Sequence, residues 1–248
     1  MRGQETTSRL DTLSGINAVK EALGSRPIDY VLVTEGAHGP RVEEIIRLSR
    51  SRGISVRFAP AAALERTAGT PQHQNVVALC AAKAYHDLET LVQASASPLL
   101  VVLDGVEDPA NLGAVARTAV AAGADGIVVP ERRAARLTST VARAAAGALE
   151  HLKVSRVTNL TRALNMLKEH NLWVFGFEAA ARKSYLELDY SLPCALVLGG
   201  EGQGLHRLVR DTCDDLACIP LYGPVESLNV SVAAAVVLYE AARQRHAE

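Results

Sequence analysis

From Leu99 onward the chain alternates short apolar runs with segments of helical spacing, and this alternation restricts the fold more than any other feature. The runs are "LLVVLDG", "GIVVP", "KVSRV", "WVFGFE", "CALVLGG" and "LACIPL". Between them lie "NLGAVARTAVAAG", "TSTVARAAAGALEHL" and "TRALNMLKEHN", and a small-residue helix follows the last run. Apolar strands separated by helices predict a parallel sheet covered on both faces. Ligands of such sheets bind beyond the carboxyl ends of the strands.

The first third of the chain has a different grain. "IDYVLVTE", "ISVRFA" and "NVVALCA" are expected as strands, "GINAVKEALGS" as a helix, and "GPRVEEIIRLSRSRG" as a second helix with Val42, Ile45, Ile46 and Ser49 facing inward before Gly53. A small α/β domain over residues 1–83 is therefore expected. A linker follows at 84–97, where "KAYHDLETLVQASASP" carries a helical piece and then a small-residue break ending in proline, and a larger α/β domain fills 98–248. Residues 1–83 hold 11 Lys and Arg against 8 Asp and Glu, a balance of +3, whereas the remainder holds 15 against 19, or −4. The basic domain suits nucleic-acid contact, although an ordinary solvated surface has the same balance. Arg41, Arg47, Arg50, Arg52 and Arg57 are candidates for phosphate contact or for such a surface.

The polar start has no apolar signal core, and "VAAAVVLY" falls well short of the roughly 20 residues of a membrane span. A cytoplasmic protein is expected, with no membrane partner. Cys80, Cys194, Cys213 and Cys218 show neither CxxC pairing nor a nearby histidine cluster, so reduced, inert thiols are expected and no metal site.

Three loops carry unusual chemistry. In "DGVEDPANLGAVARTAVAAG", Asn111 is a candidate helix cap and Gly113 permits close backbone approach. Arg117 has Gly113, Ala114, Val120 and Ala121 as its helical neighbours, which predicts a buried guanidinium paired with carboxylate or phosphate. In "LVLGGEGQGL" the spacing is not GxGxxG, no GK[ST] follows, and Glu201 repels phosphate. That loop suits a cationic or hydroxyl-rich ligand; a plain glycine turn is the structural alternative. In "PVESLNVSVAAAVVLYEAARQ", Ser227, Asn229 and Ser231 cannot all cap one helix, so at least one points elsewhere.

Taken together, "NLGAVARTAVAAGADGIVV", "LVLGGEGQGL" and "CIPLYGPVESLNVSVAAAVVLYEAARQ" resemble, in order and spacing, the three motifs of the SpoU (TrmH) class of SPOUT RNA ribose 2′-O-methyltransferases. The resemblance spans about Leu99 to Arg245. The stretch from "LSGINAVKEAL" to "TPQHQNVVALCA" resembles the L30e-like substrate-binding domain of the RlmB branch, which modifies a guanosine of large-subunit ribosomal RNA. Two positions depart from that pattern: Asn17 stands where the family usually has histidine, and Asn75 where glycine is common.

The resemblance implies an α/β catalytic domain with a mostly parallel sheet, a deep C-terminal trefoil knot, and S-adenosylmethionine as cofactor. Gly199, Gly200, Gly202, Ile219 and Leu228 fall where family members hold the methyl donor. Asn111, Arg117, Glu201, Asn229 and Ser231 fall at the catalytic positions. It further implies a homodimer, RNA as partner, and no metal. Arg117 is expected to bind phosphate and hydroxyl and to stabilise developing oxyanion charge, because arginine hardly ever deprotonates. Competing expectations are a transfer-RNA 2′-O-methyltransferase, a ribosome-directed resistance methylase, and a non-catalytic RNA-binding assembly factor.

Overall fold

The computed structural model describes residues 10–200 and 204–247, and every element and count given below is of those residues. The chain divides into two compact units, Met1–Ala84 with Leu137–Glu150, and Tyr85–Arg136 with His151–Glu248.

The first unit contains β1 (Leu10–Ser14), α1 (Ile16–Ser25), β2 (Ile28–Thr34), α2 (Pro40–Ser51), β3 (Ser55–Ala59), α3 (Ala61–Ala68) and β4 (Val76–Ala81). Its sheet has the order β1-β4-β2-β3, parallel between β2 and β3 and antiparallel elsewhere. In α2, Val42, Ile45 and Ser49 are buried at the expected spacing and Ile46 is half-buried. Ser49 tolerates burial because its hydroxyl donates to the Ile45 carbonyl at 2.8 Å. The unanticipated elements are β1, with only two apolar residues in "LDTLS", and α3, too short for a helical period to show.

Leu137–Glu150 departs from expectation. "TSTVARAAAGALEHL" reads as one helix, yet α6 covers only Ser139–Ala144 before Ala146 (φ 50°) and Gly147 (φ 94°) break it, and a 3-10 turn follows at Ala148–His151. Tertiary packing overrides alanine's helix propensity here. Gly147 lies so close to α1 that a Cβ would meet Glu21 Cγ at 2.6 Å. Glu150 then accepts from Ser25 Oγ at 2.7 Å and pairs with Arg26, fixing the segment to the first unit. Residues 84–97, expected as a linker, carry α4 (Leu88–Val92), whose Leu88 and Leu91 enter the core of the second unit.

That second unit continues with β5 (Leu99–Asp104), α5 (Pro109–Ala121), β6 (Gly126–Pro130), β7 (Lys153–Val157), α7 (Leu160–Glu169), β8 (Trp173–Phe177), β9 (Lys183–Ser184), β10 (Cys194–Gly199), α8 (Arg207–Thr212), β11 (Asp215–Cys218) and α9 (Val230–Arg245). Its seven described strands have the order β7-β6-β5-β10-β8-β11-β9, and every pairing is parallel. The mostly parallel α/β class expected from the alternation is the one observed. Leu100, Val102, Val128, Val174, Ala195 and Val197 of the sheet pack against Leu164 and Leu167 of α7, which explains why these strands are apolar throughout.

Because all strands run one way, Asp104, Phe177, Gly199 and Cys218 end at the same edge. Helix α9 packs beside α5. Its far end is held by Arg245, which donates to the carbonyls of Ser97 at 2.6 Å and of Tyr190 and Leu192 at 2.7 Å. One guanidinium thereby satisfies several turn carbonyls at once. Burial pushes the Cys80 and Cys194 thiols up to about 11 and Cys213 up to about 12, so these three are protonated at neutral pH. No described helix is long and apolar enough to cross a membrane.

Candidate active site

At the carboxyl edge of the parallel sheet lies a cavity of about 620 Å³. Phe177 and Glu178 at the end of β8 form one wall, and Leu198, Gly199 and Gly200 at the end of β10 form another. Ile219 and Leu221 follow β11, and Ser227 to Val230 enter α9 to complete the enclosure. Gly199, Gly200, Ile219 and Leu228 of the expected donor-binding residues thus share one cavity with Asn229. Glu201 and Gly202 lie outside the described residues.

The glycines are required by backbone contact. A Cβ on Gly199 would stand 2.1 Å from the Gly204 carbonyl carbon and 2.6 Å from the Leu205 nitrogen. A Cβ on Gly200 would stand 2.1 Å from the Gly105 oxygen. Asp104, only 4% exposed, holds both flanks of this region. Its backbone carbonyl accepts from the Gly200 N–H at 2.7 Å, and its carboxylate accepts from the His206 N–H at 2.7 Å. The His206 ring completes the arrangement. Arg133 is a donor only and sits 3.2 Å from Nε2, so Nε2 accepts; Nδ1 therefore carries the proton and donates to Asp104 Oδ1 at 2.9 Å. Asp104→Ala leaves the His206 groups without their acceptor, and urea unfolding is expected to show a loss of about 2 kcal/mol.

The polar entry to the last helix has two functions. Asn229, and not Ser227, caps α9: its Oδ1 accepts from the Ser231 N–H at 2.9 Å and from Ser231 Oγ at 2.6 Å. Its Nδ2 donates to Asn111 Oδ1 at 3.1 Å, joining the entry of α9 to the first turn of α5. Asn111 is not a helix cap. Asp108 takes that role by accepting from the N–H groups of Ala110 and Asn111, which leaves the buried Asn111 side chain available to Asn229.

Arg117 corrects another expectation. It is exposed, and no hydrogen bond or ion pair engages it among the described residues. Six residues beyond Asn111 on a 100° helical repeat, it projects about 120° from the Asn111 face. Small neighbours on α5 reflect the packing of that helix beside α9, and they do not bury the guanidinium.

Sequence reasoning also passed over Glu178 and Glu226, which line the cavity, while among the described residues no lysine, arginine or histidine does. Glu178 closes "WVFGFE" and Glu226 lies within the polar α9 entry, so position at strand and helix ends was the only available signal. A cavity with two carboxylates favours a ligand that carries positive charge or hydroxyl groups.

An all-parallel sheet with such a cavity at its carboxyl edge, closed by a glycine loop and a capped helix entry, defines an α/β protein that binds a small organic ligand. The chain belongs to the SpoU rRNA methylase family, whose model matches residues 98–239. It is an RNA methyltransferase of that family. A second model, RNA 2′-O ribose methyltransferase substrate binding, matches residues 12–86. The chain is 44% identical over 241 residues to YacO of Bacillus subtilis (strain 168), a protein assigned to the TrmH family of tRNA/rRNA methyltransferases, covering 95% of this chain and 96% of YacO. The AdoMet-bound rRNA methyltransferase from Sinorhizobium meliloti superposes with TM-score 0.81 at 27% identity, over 97% of this chain and 89% of that one. The SpoU methyltransferase AviRb from Streptomyces viridochromogenes shares the fold with TM-score 0.83 at 24% identity, over 100% of this chain and 95% of that chain.

Proposed function

We propose that the protein transfers a methyl group from S-adenosylmethionine to a ribose 2′-hydroxyl of RNA, and that its target is a guanosine of large-subunit ribosomal RNA. The observation that carries this reading is that Gly199 and Gly200 of the glycine loop share one cavity with Ile219, Leu228 and Asn229 of the third motif, while Asn229 bonds Asn111 of the first. On this reading the second unit is catalytic and the first binds substrate. The protein works in the cytoplasm, where its four free cysteines stay reduced. The knotted C-terminal path that the family resemblance implies is part of this reading.

The residues present fit the methyl donor. Gly199 lies against backbone where a Cβ would collide, which brings main-chain groups to the cavity wall. Apolar walls from Phe177, Leu198 and Val230 suit an adenine ring, and Glu178 and Glu226 suit a cation with ribose hydroxyls. When bound, S-adenosylmethionine supplies an electrophilic methyl group on a sulfonium. Backbone and carboxylates orient that donor, and the Asn229–Asn111 bond fixes the wall beside it. With the donor bound, the sulfonium–methyl bond would break as the O–C bond forms, leaving a neutral thioether, and the 2′-hydroxyl proton would pass to solvent; Arg117 stabilises the oxygen while holding the adjacent phosphate.

Asn229→Ser keeps a good helix cap and removes the donor to Asn111, whereas Asn229→Ala removes both. Both variants are expected to lose most methyl transfer, yet only Asn229→Ala loses about 1 kcal/mol of stability in urea unfolding. Full activity in Asn229→Ser would reduce this residue to a cap.

A homodimer is part of the proposal. Val232 is 48% and Tyr239 56% exposed on α9, a helix apolar on nearly all sides. A second copy covers this surface and brings Arg117, exposed on the neighbouring α5, to a shared site. Val232→Asp is expected to give a monomer by light scattering with methyl transfer largely lost; an unchanged dimer would assign the interface elsewhere.

Labelled methyl transfer into unmodified transcripts of large-subunit ribosomal RNA and of transfer RNA tests the whole reading, with mapping by resistance to alkaline cleavage. Label at one ribosomal guanosine supports it. Label in transfer RNA alone keeps the chemistry and discards the target, and donor binding without transfer to either favours the assembly-factor reading.

A further inference from the structure

We infer that the first unit carries a cleft for one unpaired RNA nucleotide, with its phosphate on Arg41 and its base against the apolar wall formed by Ile16, Pro40 and Val42. The inference rests on the RNA methyltransferase reading and adds where, within the substrate-binding unit, the target is distinguished.

The cleft measures about 400 Å³ and lies between the start of α1, the Gly39–Val42 start of α2, and the Gln74–Asn75 turn that precedes β4. Its polar groups are mostly donors. Arg41 donates one N–H to Asn17 Oδ1 at 2.6 Å, which steadies the side chain and leaves four guanidinium N–H groups. Gln74 accepts the Ile16 N–H on its Oε1 at 3.0 Å, and its amide N–H groups make no hydrogen bond among the described residues. Among the described residues the Asn75 side chain makes no hydrogen bond and no carboxylate lines the cleft, and His38 adds an imidazole. A donor-rich, acceptor-poor surface with an apolar wall complements a ligand that is anionic, rich in acceptors and partly planar. A nucleotide is such a ligand.

Size and context narrow the source. The volume is at the lower end of the roughly 300–1,000 Å³ of small-ligand pockets, which suits one nucleotide and not a base pair. Sequence-specific RNA recognition takes splayed, unpaired bases for the same reason. All the lining residues fall within the 12–86 match to RNA substrate binding.

Asn75 is the residue placed to read the base edge. Its φ of 64° lies in the left-handed region, which asparagine tolerates. Its carboxamide lines the cleft and makes no hydrogen bond among the described residues, which leaves one acceptor and two donors for a base edge. Asn75 lines the cleft, and Asn17 borders it through its bond to Arg41. With a carboxamide beside the Arg41 contact, the cleft distinguishes a base as well as binding phosphate.

The test uses the full-length protein, unmodified transcripts of large-subunit ribosomal RNA and of transfer RNA, filter binding for RNA affinity, and labelled transfer for kcat. Arg41→Ala is expected to raise Kd about tenfold, the weight of one charge-assisted contact, and to lower the salt slope by about 0.7. Asn75→Gly is expected to raise Kd about threefold for the preferred transcript only, with the melting temperature little changed because both residues adopt the left-handed conformation. In both variants kcat at saturating RNA and S-adenosylmethionine affinity stay within about twofold of wild type. Unchanged RNA affinity in both variants overturns the cleft while leaving the methyltransferase reading intact. Weaker binding by Arg41→Ala with an unchanged salt slope overturns the phosphate contact, and displacement of RNA by low concentrations of free nucleoside monophosphates overturns the RNA assignment. A wild-type protein that binds RNA through Arg41 yet neither binds the donor nor transfers methyl leaves the cleft standing and removes the catalytic reading.

Discussion

Gly199→Ala is expected to lower S-adenosylmethionine affinity at least about a hundredfold, the equivalent of about 2.7 kcal/mol. The reason is steric and lies in the main chain. The added methyl carbon would stand 2.1 Å from the carbonyl carbon and 2.3 Å from the oxygen of Gly204, and no side-chain rotation relieves either contact. The chain must shift at the wall of the cavity proposed for the donor. Gly204→Asn is the control. Gly204 has φ 62° and nothing within 4 Å of an added Cβ, so asparagine, which tolerates that conformation, should reduce affinity only a few-fold. Calorimetry on the two variants checks the contrast. Equal losses, or undiminished binding in Gly199→Ala, would remove the cavity from cofactor binding.

Arg117→Ala is expected to reduce kcat by about a hundred- to a thousandfold, in line with removal of one preorganised oxyanion donor. Stability and donor affinity should hardly change. Arg117 is exposed and makes no hydrogen bond or ion pair among the described residues, and such positions usually alter stability by no more than about 0.5 kcal/mol. Arg117→Lys should recover only part of the rate, because a point charge cannot grip phosphate and ribose oxygen with a planar fork. Single-turnover transfer and thermal unfolding, measured on the same preparations, separate the outcomes. A variant with full single-turnover rate contradicts the oxyanion assignment, and one that unfolds early assigns Arg117 a structural role.

Much of the site was legible before any coordinates because its parts are local signals. "LVLGGEGQGL" and "VESLNVS" stand out by composition, and the structure brings Gly199, Gly200, Leu228 and Asn229 into one cavity. Burial of particular side chains was less legible. Arg117 reads as buried from its helical neighbours, but small residues serve equally for packing one helix against another, as α5 packs on α9. Asn111 reads as a cap, but Asp108 stands three residues earlier and caps first. Glu178 and Glu226 carried no pattern, since a lone acid at a strand or helix end is ordinary.

Periodicity, turn residues and capping are properties of neighbouring residues, so the amino-acid order alone determined the α/β class, the parallel sheet and most elements in it. It also singled out the glycine loop and the α9 entry, which the fold brings to one cavity. Tertiary structure alone decided how Leu137–Glu150 would end, because the break at Gly147 answers to α1, over a hundred residues away in the chain. It alone decided that Asn229 would cap one helix while reaching another through Asn111, and that Asp104 would hold both Gly200 and His206. Contacts between residues distant in sequence leave no periodic trace, and they become visible only when the sheet brings its strand ends together.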